Sequence, residues 1–178
     1  ATDGFQIRDT GDGIDQGFVE SNEFERAAFV GSPAGRAQVY GSLSTAVENA
    51  AEDTTIVLAP GTYDGADIDT NNITIEGPNA DTSGYERDAT DLSGEAVIES
   101  PDGPGIEVTN GANVTIDGVA FDGNQYFIES TNWEYIAVED SIFTNGQSKE
   151  GGHILLKKSS GEFRFKNNYV TGNDISNG

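Results

Sequence analysis

The stretch NVTIDGVAFDGN, residues 113–124, decides the fold, because the chain repeats its pattern twice more. Residues 135–146 read YIAVEDSIFTNG and residues 162–173 read EFRFKNNYVTGN, and the three align without gaps as strand, polar corner, short strand and polar corner. A unit that recurs at intervals of about 20 to 30 residues is usually one element that buries its apolar face only by stacking on its neighbours. The spacing therefore predicts a solenoid.

Two further features extend the repeat. A second strand precedes each copy at the same offset, seen in GIEVTNGA, FIESTNWE and ILLKKSSG. An earlier and looser copy, NITIEGPN from Asn72, places Glu76 in register with Asp117. Each unit is therefore three short strands and three corners, and the pattern covers most of the chain after residue 54.

The N-terminal part differs from the repeat. Residues 1–40 do not match it, so we expect an N-terminal extension that packs on a solenoid formed by residues 41–178, the latter being either a fragment of a longer protein or an assembling subunit. In SLSTAVENAA, Leu43, Ala46, Val47 and Ala50 recur at helical spacing and Ser42 precedes the first turn. A short helix should cover the end of the solenoid.

The segment that follows this helix resembles a known family. The order of helix, IVLAPGTY and then ITIEG is similar to the start of right-handed parallel β-helix proteins of the pectin-lyase-like superfamily, and the resemblance covers roughly residues 40 to 173. It implies an all-β fold, a right-handed parallel β-helix with a short N-terminal capping helix. Family members include polysaccharide lyases and hydrolases, in which loops such as residues 78–95 line a binding cleft. A solvated insertion is the alternative for this polar segment.

The charge is strongly acidic and spread along the chain. Thirty-one acidic residues against nine Lys and Arg give a formal net charge of −22. Nucleic acid would be repelled and is excluded as a partner. A dispersed acidic excess resembles the secreted or surface proteins of haloarchaea and other extreme halophiles, and an acidic extracellular protein that uses calcium is the alternative.

Several features favour an extracellular or cell-surface location. The sequons at Asn72 and Asn113 are N-glycosylation acceptors, as expected of a surface glycoprotein. No apolar run is long enough to span a membrane. The chain has no Cys, so a disulfide framework is excluded and packing must hold the fold.

Chemistry in stacked units is read down columns of aligned residues. Three inward columns are apolar: Val114, Ile136 and Phe163; Ile116, Val138 and Phe165; Ile106, Ile128 and Leu155. Asn110 and Asn132 align with Ser159 and are expected to form an inward hydrogen-bonding ladder. The outward column runs Glu76, Asp117, Glu139 and Lys166, where Asp117 and Glu139 could act as a catalytic carboxylate pair, hold calcium or simply be solvated.

Two other clusters suggest ligands. Tyr126, Trp133 and Tyr135 lie beside corner positions, where exposed rings could stack on sugars or, alternatively, pack as core. Asp9, Asp12 and Asp15 in RDTGDGID suggest a calcium loop, although the spacing departs from that of the helix-loop-helix calcium site and a Gly/Asp-rich turn is the alternative.

Three functions remain open: a structural or adhesive surface module, a carbohydrate-binding domain, and a polysaccharide lyase or hydrolase. Four or five units leave little room for a long cleft, which favours the first.

Residues 149–178 hold five cations and three acids, so the last unit is the one cationic region. Arg164 and Lys166 are therefore expected to dock on an identical subunit, head to tail, or on further units of a longer chain.

The dispersed acidity predicts salt-dependent stability. Molar salt screens carboxylate repulsion, so the melting temperature should rise by about 10 °C between 0.1 M and 3 M NaCl, or about 3 kcal/mol for a chain of this size. Circular dichroism during heating measures it. An unchanged melting temperature would contradict the halophilic interpretation.

Overall fold

The computed structural model describes residues 6–8, 27–30, 36–148, 153–157 and 161–175. Within these ranges the protein is mostly β-strand, with one α-helix, α1 (Leu43–Asn49), and a 3-10 turn at Gly84–Glu86. None of its helices is long and apolar enough to cross a membrane. The strands, in chain order, are β1 (Gln6–Arg8), β2 (Ala28–Val30), β3 (Arg36–Tyr40), β4 (Thr55–Leu58), β5 (Gly61–Asp64), β6 (Ala66–Ile68), β7 (Ile73–Glu76), β8 (Ala96–Glu99), β9 (Pro104–Val108), β10 (Ala112–Asp117), β11 (Ala120–Asp122), β12 (Tyr126–Ser130), β13 (Trp133–Glu139), β14 (Ile142–Thr144), β15 (Gln147–Ser148), β16 (Ile154–Leu156), β17 (Glu162–Lys166), β18 (Tyr169–Thr171) and β19 (Asp174–Ile175).

The strands form three larger sheets and one short pair. Sheet 1 has the order β1-β3-β2-β4-β7-β10-β13-β17, sheet 2 the order β18-β14-β11-β8-β5, and sheet 3 the order β16-β12-β9-β6, while β15 pairs with β19. All pairings among the strands β4 to β19 are parallel. The predicted all-β class is confirmed, and so is the parallel pairing of successive copies.

The chain visits the three sheets in a fixed order. It runs from β4 in sheet 1 to β5 in sheet 2 and β6 in sheet 3, and then returns to sheet 1 at β7. The same order repeats for β7 to β9, for β10 to β12, and for β13, β14 and β16, with β15 lying between β14 and β16 in the chain. Each strand therefore pairs with its counterpart from the next unit, which brings residues far apart in sequence into register.

The registers confirm two of the three predicted inward columns and correct the third. Val114 pairs with Ile136 and Ile136 with Phe163, and the column through Ile116, Val138 and Phe165 is likewise in register. Ile106 pairs with Ile128, but Ile128 pairs with Ile154 and not with Leu155. The interval between the second and third copies is longer than that between the first and second. Most of its extra residues precede β16, and one lies between β16 and β17, where the alignment of the three copies places none.

One apolar cluster joins the inward faces of all three sheets. Alternate residues point into it, which gives β10 its pattern of buried Val114 and Ile116 between half-buried neighbours. Rings stack down the axis of sheet 2: Phe121 and Phe143 are parallel with centroids 4.9 Å apart, and Phe165 of sheet 1 lies 5.4 Å from Phe143. This shared cluster supplies the packing that a chain without Cys requires.

Two corners of each of the last three units need left-handed backbone. At the corner after sheet 1, Gly118, Asp140 and Asn167 are equivalent, with φ of 67°, 47° and 55°. At the corner after sheet 2 the equivalent residues are Gly123, Asn145 and Gly172, with φ of 68°, 52° and 65°. Gly, Asn and Asp tolerate this conformation at least cost, which explains the repeated polar corners in the sequence.

The predicted amide ladder is wrong in its residues. Asn110 and Asn132 are exposed, and Ser159 lies outside the described residues. The amides that bond neighbouring units instead include Asn124, fully buried with Nδ2 donating to the Ile98 carbonyl at 2.9 Å, and Asn173, whose Nδ2 donates to the Phe143 carbonyl at 3.1 Å. They follow the left-handed corner residues, so the backbone turn points their side chains inwards.

The helix prediction is confirmed. Helix α1 begins at Leu43, the Ser42 hydroxyl accepts a hydrogen bond from the Thr45 N–H, and Leu43, Ala46 and Val47 are buried. α1 packs on β6, the first strand of sheet 3. Three strands from the first 40 residues extend sheet 1. β2 pairs antiparallel with β4, β3 pairs with β2, and β1 pairs with β3.

Two glycines at the corners provide a test of this geometry. Gly118 and Gly123 have nearly the same φ, but a Cβ at Gly118 would collide with the backbone of Ala80 and Asn79, whereas at Gly123 it would meet nothing within 4 Å. Gly123→Ala should cost about 1 kcal/mol of unfolding free energy from backbone strain. Gly118→Ala should cost a further amount of about 1–3 kcal/mol from the collision. Denaturant unfolding of both variants measures the difference, and equal losses would contradict the close approach.

Candidate functional site

The outward face of sheet 1 carries a column of charged side chains from four consecutive strands. Glu76 pairs in register with Asp117, Asp117 with Glu139, and Glu139 with Lys166, as the sequence alignment predicts. Neighbouring strands lie about 4.8 Å apart. Three carboxyl groups therefore follow one another at close spacing and end at a cation.

Residues 77–95, here called the corner loop, lie over the corners beside this column. The Gly77 N–H donates to the Asp117 carbonyl and the Gly84 N–H to the Asn167 carbonyl, both at 2.8 Å, so the loop reaches across to the last unit. Through Ala89 and Leu92 the loop packs on an outward apolar cluster of sheet 2 formed by Val97, Ala120 and Ile142. At these points the loop is packed against sheet 2, while other side chains of the loop are exposed.

A buried ion pair fixes the corner loop. Nη1 of Arg87 lies 2.6 Å from Oε2 of Glu95, and both side chains are only 6% exposed. The same guanidinium donates to the carbonyls of Gly118 and Asp140, the two left-handed corner residues. Burial lowers the pKa of Arg87 and raises that of Glu95, and the attraction between the two charges opposes both shifts. Breaking such a pair leaves an uncompensated buried charge.

Arg87 was not a sequence-predicted site residue. The signal that could have found it is that it is the only cation of the corner loop, among four acidic residues besides Glu95. A lone cation in an acidic polar segment is attracted to the carboxylates of that segment, which favours an ion pair within it. Its contact with Gly118 and Asp140 depends on tertiary structure.

Asp117 is the most perturbed carboxyl group of the column. Burial raises its pKa to about 7, with further contributions from the negative charges of Asp140, Glu139, Glu76 and Asp81. Within the described residues, its Oδ1 is buried and has no hydrogen-bond partner. A carboxyl group in this state can hold a proton near neutral pH and give it up in a reaction.

Glu139, next to Asp117, is in a different environment. Its Oε1 lies 3.1 Å from Nε of Arg164 and its Oε2 lies 3.7 Å from Nζ of Lys166. The column therefore contains one carboxyl group surrounded by negative charge and a neighbour paired with two cations. This asymmetry between adjacent carboxyl groups is what acid and nucleophile roles require.

The structure gives no support to a metal centre in the part of the chain that it describes. No group of three or more His, Asp or Glu side chains there could hold a metal ion. The predicted calcium residues Asp9, Asp12 and Asp15 lie outside the described residues.

The predicted aromatic platform is largely buried, which corrects the expectation of exposed rings. Tyr126 and Trp133 are each 8% exposed, and Tyr135 is half-buried. Trp133 packs against the backbone at Gly161, where any Cβ would meet the indole ring. Tyr126 is the first residue of β12 and Trp133 the first of β13, and both rings serve packing.

The two sequons lie side by side. Ile73 pairs with Val114, so Asn72 and Asn113 occupy equivalent places on adjacent strands. Asn72 is exposed and its Nδ2 donates to Oδ1 of Asp53 at 2.8 Å, whereas Asn113 is half-buried and its N–H donates to Oδ1 of Asn71. Of the two, Asn72 is the more accessible acceptor.

The last unit leaves apolar side chains exposed. Phe165 is 41% exposed, Tyr169 38% and Val170 55%, although Phe165 and Val170 belong to columns that are buried in the earlier units. The side chains of Arg164 and Lys166 on the outward face are about half exposed. The predicted assembly residues therefore flank an open end of the core.

A shallow hollow of about 430 Å³ lies beside α1, away from the charged column. Its acidic lining includes Glu48, Asp67 and Glu107. Burial raises the pKa of Glu107, as do the charges of Asp67 and Glu129. Nothing in its polar lining selects a ligand.

Comparison with family models, curated proteins and solved structures finds no match to this chain. The likeness to the pectin-lyase-like superfamily therefore remains an inference from the sequence. The charged column and the open end of the core are the two features that bear on function.

The raised pKa of Asp117 predicts a specific pH dependence. Because the pKa in the folded protein, about 7, lies above the ordinary value of 3.8, the folded state holds the proton more tightly than the unfolded state. The resulting stability is fully present below about pH 4 and is lost as the pH rises through about 7. Asp117→Asn should therefore gain stability relative to the wild type across this range, measured by denaturant unfolding in molar salt. Parallel pH profiles for wild type and Asp117→Asn would contradict the perturbed pKa.

Proposed function

We propose that this chain is an extracellular structural or adhesive surface module of an extreme halophile, built as a right-handed parallel β-helix of the pectin-lyase-like type. It associates with identical subunits through its last unit. The β-helix is supported by the cyclic passage through three sheets and by the common apolar cluster. The surface location is supported by the accessible sequon at Asn72 and by the dispersed acidity.

The open end of the core carries the functional proposal. Val170 is equivalent to Phe143 and Phe121, which are at most 1% exposed, yet Val170 itself is 55% exposed. Among the described residues, no strand pairs with the outer edge of β18. An unpaired strand edge over exposed core favours pairing with another chain. Head-to-tail contact with an identical subunit, leading to a filament, and further units of a longer chain are two ways of covering this end.

Association should depend on the apolar end. The protein should show a concentration-dependent mass in light scattering, at salt concentrations where circular dichroism reports a folded state. Val170→Lys should weaken association about tenfold or more, because it places a charge in the contact. Thr131→Lys, at an exposed corner between β12 and β13 and away from both ends of the sheets, is the matched control for added charge. A wild-type mass that stays monomeric up to millimolar concentration would refute the association.

A second candidate function is supported by the charged column. A polysaccharide hydrolase would use Asp117 as the proton donor and Glu139 as the neighbouring carboxyl group, on strands whose spacing is near the separation of about 5 Å found in retaining glycosidases. A polysaccharide lyase or a carbohydrate-binding domain would bind its sugar on the same face. Arg164 and Lys166 would then form ion pairs with Glu139. Turnover of a polysaccharide that is lost in Asp117→Asn, with binding retained, would favour the enzyme over the structural module. Binding without turnover would favour the carbohydrate-binding domain.

A further inference from the structure

Strand β17 has a self-complementary sequence. Its five residues read Glu-Phe-Arg-Phe-Lys, so an acid and a base lie at equal distances on either side of Arg164, with a Phe between on each side. β17 pairs in parallel with β13, and no strand of the described residues pairs with its other edge. A free edge with this symmetry can pair with itself in antiparallel orientation.

We propose that two copies of this chain meet tail to tail, with β17 of one copy antiparallel to β17 of the second about a two-fold axis at Arg164. Glu162 of each copy then faces Lys166 of the other, and Phe163 faces Phe165. This inference rests on the proposed association and names its partner and orientation. The contact is isologous and closes as a dimer, unlike the head-to-tail filament.

The apolar side of the pairing is already formed within one copy. Phe163 packs against the core and its ring centroid lies 6.0 Å from that of Phe165, which in turn contacts Phe143. Phe165 remains 41% exposed. Facing Phe residues of a second copy would continue this aromatic cluster across the two-fold axis and cover the open end.

The charges on the outward side favour the same register. Glu162 is exposed, and Lys166 is 51% exposed with only a long contact of 3.7 Å to Glu139, so both can reach across to the second copy. The two Arg164 residues face each other, which is unfavourable. Each is held by Glu139 of its own copy at 3.1 Å, so its charge is partly offset before the copies meet.

The opposite end of the molecule is less suited to this contact. Beyond β4, sheet 1 continues into the antiparallel strands β2, β3 and β1, and α1 packs on β6 at the first strand of sheet 3. In a head-to-tail arrangement β17 would have to pair with an end that already has strands and a helix on it. Tail-to-tail contact instead joins two β17 edges, neither of which has a paired strand among the described residues.

Charge reversal tests the orientation. Glu162→Lys and Lys166→Glu should each weaken self-association about tenfold or more, because both symmetric pairs become repulsive. An equimolar mixture of the two variants should recover a heterodimer of near wild-type affinity, since each altered residue then faces its complement. Analytical ultracentrifugation measures this at the lowest salt that keeps the proteins folded by circular dichroism. Asp64→Lys, on the edge strand of the first unit, is the matched control and should leave association unchanged.

A second measurement uses the absence of Cys in the chain. Arg164→Cys places a single thiol on the two-fold axis, where facing Cβ atoms of antiparallel strands lie about 4.5–5.5 Å apart, so mild oxidation should yield a disulfide-linked dimer. Asp64→Cys should not crosslink under the same conditions.

The outcomes separate the two proposals. Recovery in the mixture together with crosslinking at residue 164 supports the tail-to-tail dimer. Association that survives both charge variants, or that does not recover in the mixture, overturns the tail-to-tail geometry but leaves the proposed association standing, and sensitivity to Asp64→Lys would favour head-to-tail contact. A wild-type protein that is monomeric throughout overturns both.

Discussion

The left-handed corner after strands β10, β13 and β17 of sheet 1 is the constraint on which the rest of the structure depends. At Gly118, Asp140 and Asn167 the backbone turns the chain from sheet 1 to sheet 2 at the same place in three successive units. The N–H of Gly118 continues the pairing by donating to the Glu139 carbonyl, and that of Asp140 donates to the Lys166 carbonyl. Because the turn takes the same number of residues each time, both adjoining sheets keep one register.

That common register creates the charged column and its electrostatics. A slip of one residue would send Asp117 into the core and Ile116 to the surface, because alternate residues face opposite sides of a strand. With the register held, three carboxyl groups and the corner residue Asp140 lie close together, and Asp117 gains its raised pKa. The corner loop also depends on this turn, since Arg87 binds the carbonyls of Gly118 and Asp140. A structural role and a catalytic role would thus draw on the same column, with Glu139 joining the site to the cations of the last strand.

The sequence predicted strand pairing best where the repeat has no insertion. The columns through Val114 and Ile116 are confirmed because residues 113–124 and 135–146 are equal in length and differ by one unit. The error at Leu155 arose in the unit with extra residues, since the pattern of apolar residues does not say on which side of a short strand an insertion lies. The sequence also could not predict the exposed fraction of Tyr126 and Trp133, because aromatic residues have the same pattern whether they pack on a neighbouring unit or face solvent. The amide ladder failed similarly: Asn is common at corners, and only the backbone direction tells which Asn points inwards.

By itself the sequence determined the repeat, the all-β class, the parallel order of the copies, the helix capped by Ser42 and the alignment of Glu76, Asp117, Glu139 and Lys166. These follow from local periodicity and from the limited set of residues that tolerate a left-handed corner. Tertiary structure alone decided that Arg87 and Glu95 form a buried ion pair over the corner, that Asn124 and Asn173 join the units, and that Phe165 and Val170 remain exposed at the last unit. Each of these depends on which atoms exclude water from a given side chain, and burial of that kind arises only when segments distant in the chain are packed together.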